Sequence, residues 1–479
     1  MNQSDDPRVR AAWNQLLTRL LPFADVASAD LPLKRLLRLS LFQVSVGMAI
    51  VLLNGTLNRV LVVEMGVSAW LVALMVSLPL VFAPLRALIG HRSDYHHSAF
   101  GLRRVPYLWM GTLLQFGGFA IMPFALILLA DDANKLQWLG QPFSALSFLL
   151  VGAGLHTTQT AGLALATDLA PEDTRPRVVA LLYVTLLVGM MCSAVLFGKL
   201  LEDFEQAKLI SVVQGAAVAT ILFNLVALWK QEAIDPKRAA ESPERPPFGE
   251  AWRDFIQGGR SGRLLIAVGL GTAGFSMQDI LLEPFGGQVL HLSVSQTTAL
   301  TAIMAGGTLI AFALAGRVLG RGGEPTRIAT LGVLVGVVAF AAVIAAAVLD
   351  SAWVFRTGAG LIGFGGGLFS VGTLIAAMGM AEREHSGLAL GAWGAVQATT
   401  AGAAIAISGA LKDMVAGLAA QYDSFGLGIG ASSLGYGFVY SLEIVLLLVA
   451  LPAILTLALR VAARPAAGDA RIGLDQLPG

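Results

Sequence analysis

Three polar side chains stand where hydrocarbon is expected. Gln278, Asp279 and Glu283 lie in the run GTAGFSMQDILLEPFGGQV (271–289), inside a segment apolar enough to cross a membrane. A carboxylate in hydrocarbon is costly unless it is neutralised, paired or hydrated, so such residues mark functional interiors. Asp279 and Glu283 are four residues apart and share a helix face, with Gln278 beside them. The group could carry protons, bind a ligand or form an ion pair. Pro284 and Gly286-Gly287 follow at once, so the helix is expected to kink or unwind there. A helix end reaching interfacial water is the plainer reading.

A second polar group falls in the first span, where Asn54 and Asn58 lie four apart on one face, with Arg59 adjacent. Counting the helical rise from each span's start places Asn58 and Asp279 at similar depth. A buried charge needs a partner, so Arg59 is expected to neutralise Asp279 or Glu283 across the interface. His156 opens the run His156-Thr-Thr-Gln-Thr160 in the fourth span. It reads first as a hydrogen-bonded core residue, and second as an axial donor to a metal, including the magnesium of a chlorin. Gln43, Gln115, Gln214 and Gln397 are expected to bond across helices. The tenth span, GAGLIGFGGGLFSVG, presents a face without side chains, either closely packed or open to a flat ligand or another helix.

The elements that carry these residues follow from composition. The chain has 479 residues, 56% hydrophobic and 13% charged, with mean hydropathy +0.73. Soluble domains carry about 25% charged residues, and apolar runs of about 20 residues here recur from Ser40 to Arg460. The fold class is therefore an all-α polytopic membrane protein. Twelve transmembrane helices are expected at about 40–62, 69–90, 105–130, 141–168, 177–200, 208–230, 263–289, 295–318, 327–349, 352–378, 387–410 and 436–460. The domains are a basic, amphipathic N-terminal segment (1–39), a six-helix half (40–230), a hydrophilic linker (231–262), a second half (263–460) and a tail (461–479). With the N-terminus inside, most of the 32 Lys and Arg fall on one side, so both termini and the linker are expected in the cytoplasm. No removable signal peptide is read. The lone Cys192 leaves no intrachain disulfide or cysteine cluster. No nucleotide loop, zincin motif or serine motif occurs in a credible setting, so the chain does not read as an enzyme. Near-neutral charge gives no sign of a nucleic-acid partner.

The halves repeat. Phe82-Ala83 with Gly90-x-x-x-Asp94 recurs as Phe312-Ala313 with Gly320-x-x-x-Glu324, followed by Arg103-Arg104 and by Arg327. Asp168-x-x-Pro-x-x-x-Arg175 closes the fourth span. Such loops resemble the gate motifs of the major facilitator superfamily, which implies two pseudo-symmetric six-helix halves. These charges are expected to latch the halves together rather than touch a ligand.

Five runs carry a narrower resemblance: LLRLSLFQVSVGMAIVLLNGTLNRV (36–60), RALIGHRSD (86–94), RRVPYLWMGTLLQFGGFAIMPFALILL (103–129), TDLAPEDTRPRVVALLYVTLLVGM (167–190) and GFSMQDILLEPFGG (274–287). They resemble the PucC/LhaA family, the bacteriochlorophyll delivery branch of that superfamily, closer to its LhaA members. The resemblance implies an assembly factor for light-harvesting antennae of the core (LH1) type in a bacterial photosynthetic membrane. Implied cargo is bacteriochlorophyll a, and implied partners are antenna polypeptides, the reaction-centre core and pigment-synthesis enzymes. Under that reading His156, or an amide such as Asn58 or Gln278, would hold the pigment in a lateral groove. A scaffold that binds no pigment is a second possibility. A third is a secondary transporter, with Asp279 and Glu283 carrying protons and Asn54 and Asn58 binding a small organic solute.

Overall fold

The structure, a computed structural model, describes residues 32–82, 102, 104–130, 137–171, 175–232, 260–319, 321–380, 386–422 and 431–462. Inside hydrocarbon a lone apolar segment can satisfy its backbone polar groups only as a helix. Helices are what form, with no strand among the described residues. They are α1 (Leu33–Glu64), α2 (Ala69–Ser77, prolonged by a 3-10 turn to Phe82), α3 (Val105–Ala130), α4 (Gln137–Leu169), α5 (Arg175–Leu200) and α6 (Gln206–Leu228). Then come α7 (Arg260–Ser276, broken, resuming at Leu282–Gln288), α8 (Val294–Leu319), α9 (Pro325–Val348), α10 (Ala352–Met380), α11 (Ser386–Tyr422) and α12 (Ala431–Ala462). Among the described residues ten of these are long and apolar enough to cross a membrane. The protein is a multi-pass membrane protein of two six-helix halves.

Close helix approach rests on glycine in several places. In the first half a Cβ on Gly111 or Gly154 would lie 2.8 or 2.6 Å from the carbonyl oxygen of Gly154 or Gly111, which locks α3 on α4. Between the halves α5 packs on α8 and α2 on α11, where a Cβ on Gly409 would lie 2.6 Å from the Ala69 carbonyl oxygen. Leu113, Phe124, Ile310 and Val338 face outward, as lipid contact requires.

α1 begins earlier than its apolar run suggests. Lys34 to Arg38 form its first turns, Leu36 and Leu39 are buried, and Arg35 Nε donates to Gln231 Oε1 at 3.1 Å. The cross-half hydrogen bonds among the described residues gather away from this end. Asn58 reaches the Ile280 carbonyl, Arg59 that of Leu292, Gln288 that of Val62, and the Trp70 N–H donates to Asp413. The halves are thus hydrogen-bonded together toward the face where α1 ends.

Candidate functional site

α1 and α7 open the two halves, and both lose regular winding where they meet. α1 is π-helical over Val51–Leu57 and Val60–Glu64, while α7 narrows to a 3-10 turn at Met277–Ile280. Pro284 accounts for the second irregularity. It lacks the N–H that the Ile280 carbonyl, four residues back, would accept in a continuous helix. Asn58 Nδ2 fills that place from α1 at 2.7 Å, and also donates to the Asn54 carbonyl at 3.1 Å. The break therefore lies about a turn before the Pro284–Gly287 stretch where the sequence puts it, and Pro284 itself sits in the first turn of the resumed helix.

Glu283 points across the α1–α7–α8 junction. The Thr301 hydroxyl donates to its Oε1 at 2.7 Å, while its Oε2 is buried without a hydrogen bond. A Cβ on Gly55 would lie 2.5 Å from Oε1, so a larger residue there would force the carboxylate to move. Gln278 Nε2 donates to the Phe275 carbonyl at 3.2 Å and to Asp279 Oδ1, which leaves its own Oε1 buried and unused.

Two adjoining cavities share Gln278, Asp279, Met304 and Thr308. One, about 230 Å³, extends to Asn54, Gly55, Glu283 and Thr301. The other, about 240 Å³, extends to Ser370 and Gln397. Asn54, Gln278, Asp279 and Glu283 thus meet at one site, and Asn58 braces it.

The expected partner of Arg59 needs correction. Its guanidinium pairs with Glu64 of the same helix and donates to the Leu292 carbonyl at 3.1 Å; no ion pair joins it to Asp279 or Glu283. Residues five apart diverge on an α-helix, but π winding brings them together. His156 also stands apart: it is 8% exposed in α4 and lines neither cavity. Most of the α10 glycines pack against protein, while Gly363, Gly366 and Gly367 also line the 240 Å³ cavity. A Cβ on Gly363 would lie 2.1 Å from the Met304 oxygen of α8, and one on Gly365 would lie 2.8 Å from the Gly332 oxygen of α9. The open face considered for a flat ligand is therefore largely closed.

Among the described residues two loop ion pairs form, each within one half. Arg104 Nε pairs with Asp168 at 2.9 Å, and Glu324 pairs with Arg327 at 2.9 Å. The expected latch between halves is not what these pairs form. Glu232 accepts from the Arg104 and Val105 N–H groups at 3.1 and 3.0 Å, capping α3. Gly90, Asp94, Arg103, Gly320 and the Arg175 side chain lie outside the described residues. Of the lone glutamines, Gln115 donates to Thr158 at 3.0 Å and Gln397 to Ser370 at 3.5 Å, both across helices as expected. Gln43 is buried with neither amide atom bonded, and Gln214 is exposed.

One residue escaped the sequence reading. Glu443 of α12 is fully buried against the Gln278 backbone and near Asp279, with neither oxygen in a well-aligned hydrogen bond. Its signal was available, since it is the one acidic residue between Tyr436 and Arg460.

The family described as PUCC protein matches residues 56–462. The chain belongs to the PucC family. It is 60% identical over 399 residues to Protein PucC of Rhodovulum sulfidophilum, covering 81% of this chain and 88% of that one. It is 52% identical over 464 residues to an uncharacterized protein of the puhA-bchM intergenic region of Rhodobacter capsulatus, covering 96% and 97%. A Rhodobacter capsulatus protein named bacteriochlorophyll synthase 44.5 kDa chain is 26% identical over 415 residues, covering 84% and 92%. Solved structures share the fold. A bacterial homolog of the human lysosomal transporter Spinster superposes with TM-score 0.65 at 14% identity over 91% of this chain and 98% of that one. A mutant of the nucleoside transporter NupG gives 0.66 at 12% identity over 88% and 99%. The chain thus has the fold of these solved transporters.

Proposed function

We propose that this PucC-family protein is a non-enzymatic assembly factor for bacterial light-harvesting antenna complexes. It delivers bacteriochlorophyll a or chaperones antenna polypeptides in the inner, photosynthetic membrane, with both termini cytoplasmic. The observation that carries this reading is family membership across most of the chain, with 60% identity to a PucC protein. The relative named for bacteriochlorophyll synthase supports the link to pigment. Service to the core (LH1-type) antenna is the sharper form of the same proposal. Antenna polypeptides and the reaction-centre core are the proposed partners, with pigment-synthesis enzymes as further ones.

Cavity size bears on where a pigment would be taken. The two interior cavities, at about 240 and 230 Å³, fall below the roughly 300 Å³ at which drug-sized ligands begin to fit. A tetrapyrrole with an isoprenoid tail is larger still. Lateral grooves are roomier: about 590 Å³ beside Phe438 and Tyr440 of α12, and about 540 Å³ between α5 and α6. Pigment or antenna helix is therefore taken from the membrane side; His156, buried in α4, lines neither groove and is kept as the axial donor to be tested on its chemistry alone.

The test is purification from a phototrophic host lacking antenna polypeptides, followed by an absorption spectrum. Stoichiometric bacteriochlorophyll, lost in His156→Ala, supports delivery; pigment unchanged in that variant rejects His156. A colourless protein that still captures core antenna in a pull-down leaves a scaffold. A second reading, a secondary transporter of a small organic solute, is favoured by the acidic interior cavities; it predicts solute flux and neither pigment nor antenna capture.

A further inference from the structure

The cavity between α1, α7 and α8 is a site of unusual polarity, and its hydrogen-bond inventory shows why. The Thr301 and Gln278 donors around its carboxylates are already committed inside the protein. The Thr301 hydroxyl donates to Glu283 Oε1, and both Gln278 amide hydrogens go to the Phe275 carbonyl and Asp279. Turning the Gln278 amide over would set its oxygen against a carbonyl and a carboxylate, so the orientation is fixed. The buried polar atoms left unused are oxygens: Glu283 Oε2 and Gln278 Oε1, on residues 4% and 2% exposed. Both residues line the cavity with Asn54, Asp279 and Thr301.

Charge points the same way. Asp279 and Glu283 face the cavity, and Glu443 adds a third carboxylate behind Gln278. None of the three forms an ion pair among the described residues, and Arg59 is held by Glu64. Carboxylates withdrawn from water need a counter-charge. The Asn54 amide is the one donor left beside two carboxylates and a free amide oxygen, so an anion is not suited to the space. The donor set is all oxygen, as hard cations prefer. No group of three acidic, His or Cys residues stands close enough to hold a metal ion among the described residues, which argues for a singly charged ion keeping some of its water.

We propose that this cavity binds a monovalent alkali cation of sodium size, held by Glu283 Oε2, Gln278 Oε1 and Asp279. The site is independent of the antenna reading and holds whether or not the protein carries pigment. The experiment uses the full chain in detergent at pH 8 and constant ionic strength, with choline replaced stepwise by Na⁺. Radiolabelled Na⁺ binding and thermal unfolding are read together. Expected are saturable binding of one Na⁺ per chain and a rise in Tm that choline does not give. Affinity should fall about ten-fold or more in Glu283→Gln and in Gln278→Ala, and stay unchanged in Glu205→Gln, at the exposed start of α6 and outside the cavity. Absence of Na⁺ binding in the native protein overturns the proposal even if a variant fails to fold. Binding undiminished in both cavity variants also overturns it. So does stabilisation by lowered pH with no response to Na⁺, since protons would then neutralise the carboxylates.

Discussion

The bond from Asn58 to the Ile280 carbonyl offers a sharp test of how the interior is built. Pro284 removes the N–H that this carbonyl would otherwise accept, and Asn58 Nδ2 replaces it at 2.7 Å from another helix. Replacing Asn58 with Ala strips the carbonyl of that donor in a buried setting. An unsatisfied buried polar group costs about 1–3 kcal/mol, while side-chain hydrogen bonds between membrane helices average about 0.6 and reach about 1.7 kcal/mol. The expected loss is therefore about 1–2 kcal/mol, measured by reversible unfolding in mixed detergent. The decisive part is a double-mutant cycle. Pro284→Ala restores an N–H at position 284, so in that background Asn58→Ala should cost about half as much or less. Equal cost in both backgrounds would refute the substitution of one donor for the other.

Four further outcomes concern other parts of the fold. Arg59→Ala and Glu64→Ala should each destabilise by about 1–3 kcal/mol and be strongly non-additive, whereas Asp279→Asn should not rescue Arg59→Ala; unfolding of the five proteins decides it. Gly363→Ala should cost about 1–3 kcal/mol or more by overpacking, because its Cβ would sit 2.1 Å from the Met304 oxygen. Gly394→Ala, with no atom within 4 Å of its Cβ, should be neutral or slightly stabilising in the same assay. Glu232→Ala should lower stability by about 1 kcal/mol by uncapping α3, read as a shift in unfolding midpoint.

Much of this was legible in the residues, for identifiable reasons. Asp279 and Glu283 stand out because a charge inside an apolar run has few explanations, and the span count follows from runs long enough to cross hydrocarbon. Pro284 announced a broken helix, but the break's position depends on which carbonyl is orphaned and who serves it, a tertiary matter. Arg59 was misassigned because five-residue spacing is read with α geometry, and π winding is invisible in composition. The α10 glycines were ambiguous for a similar reason. Glycine permits close approach without saying whether a helix or a ligand approaches, and here α8 and α9 do. Glu443 was overlooked although its isolation in an apolar span is the same signal that singled out Asp279.

Antenna assembly is tested most directly by removing the gene from a phototrophic host and recording near-infrared absorption of its membranes, alongside total extracted bacteriochlorophyll. The expected result is a several-fold loss of an antenna band while pigment synthesis continues, restored by the native chain supplied in trans. Antenna bands at full strength in the deleted strain, with pigment unchanged, would contradict the account and leave the transporter reading in its place.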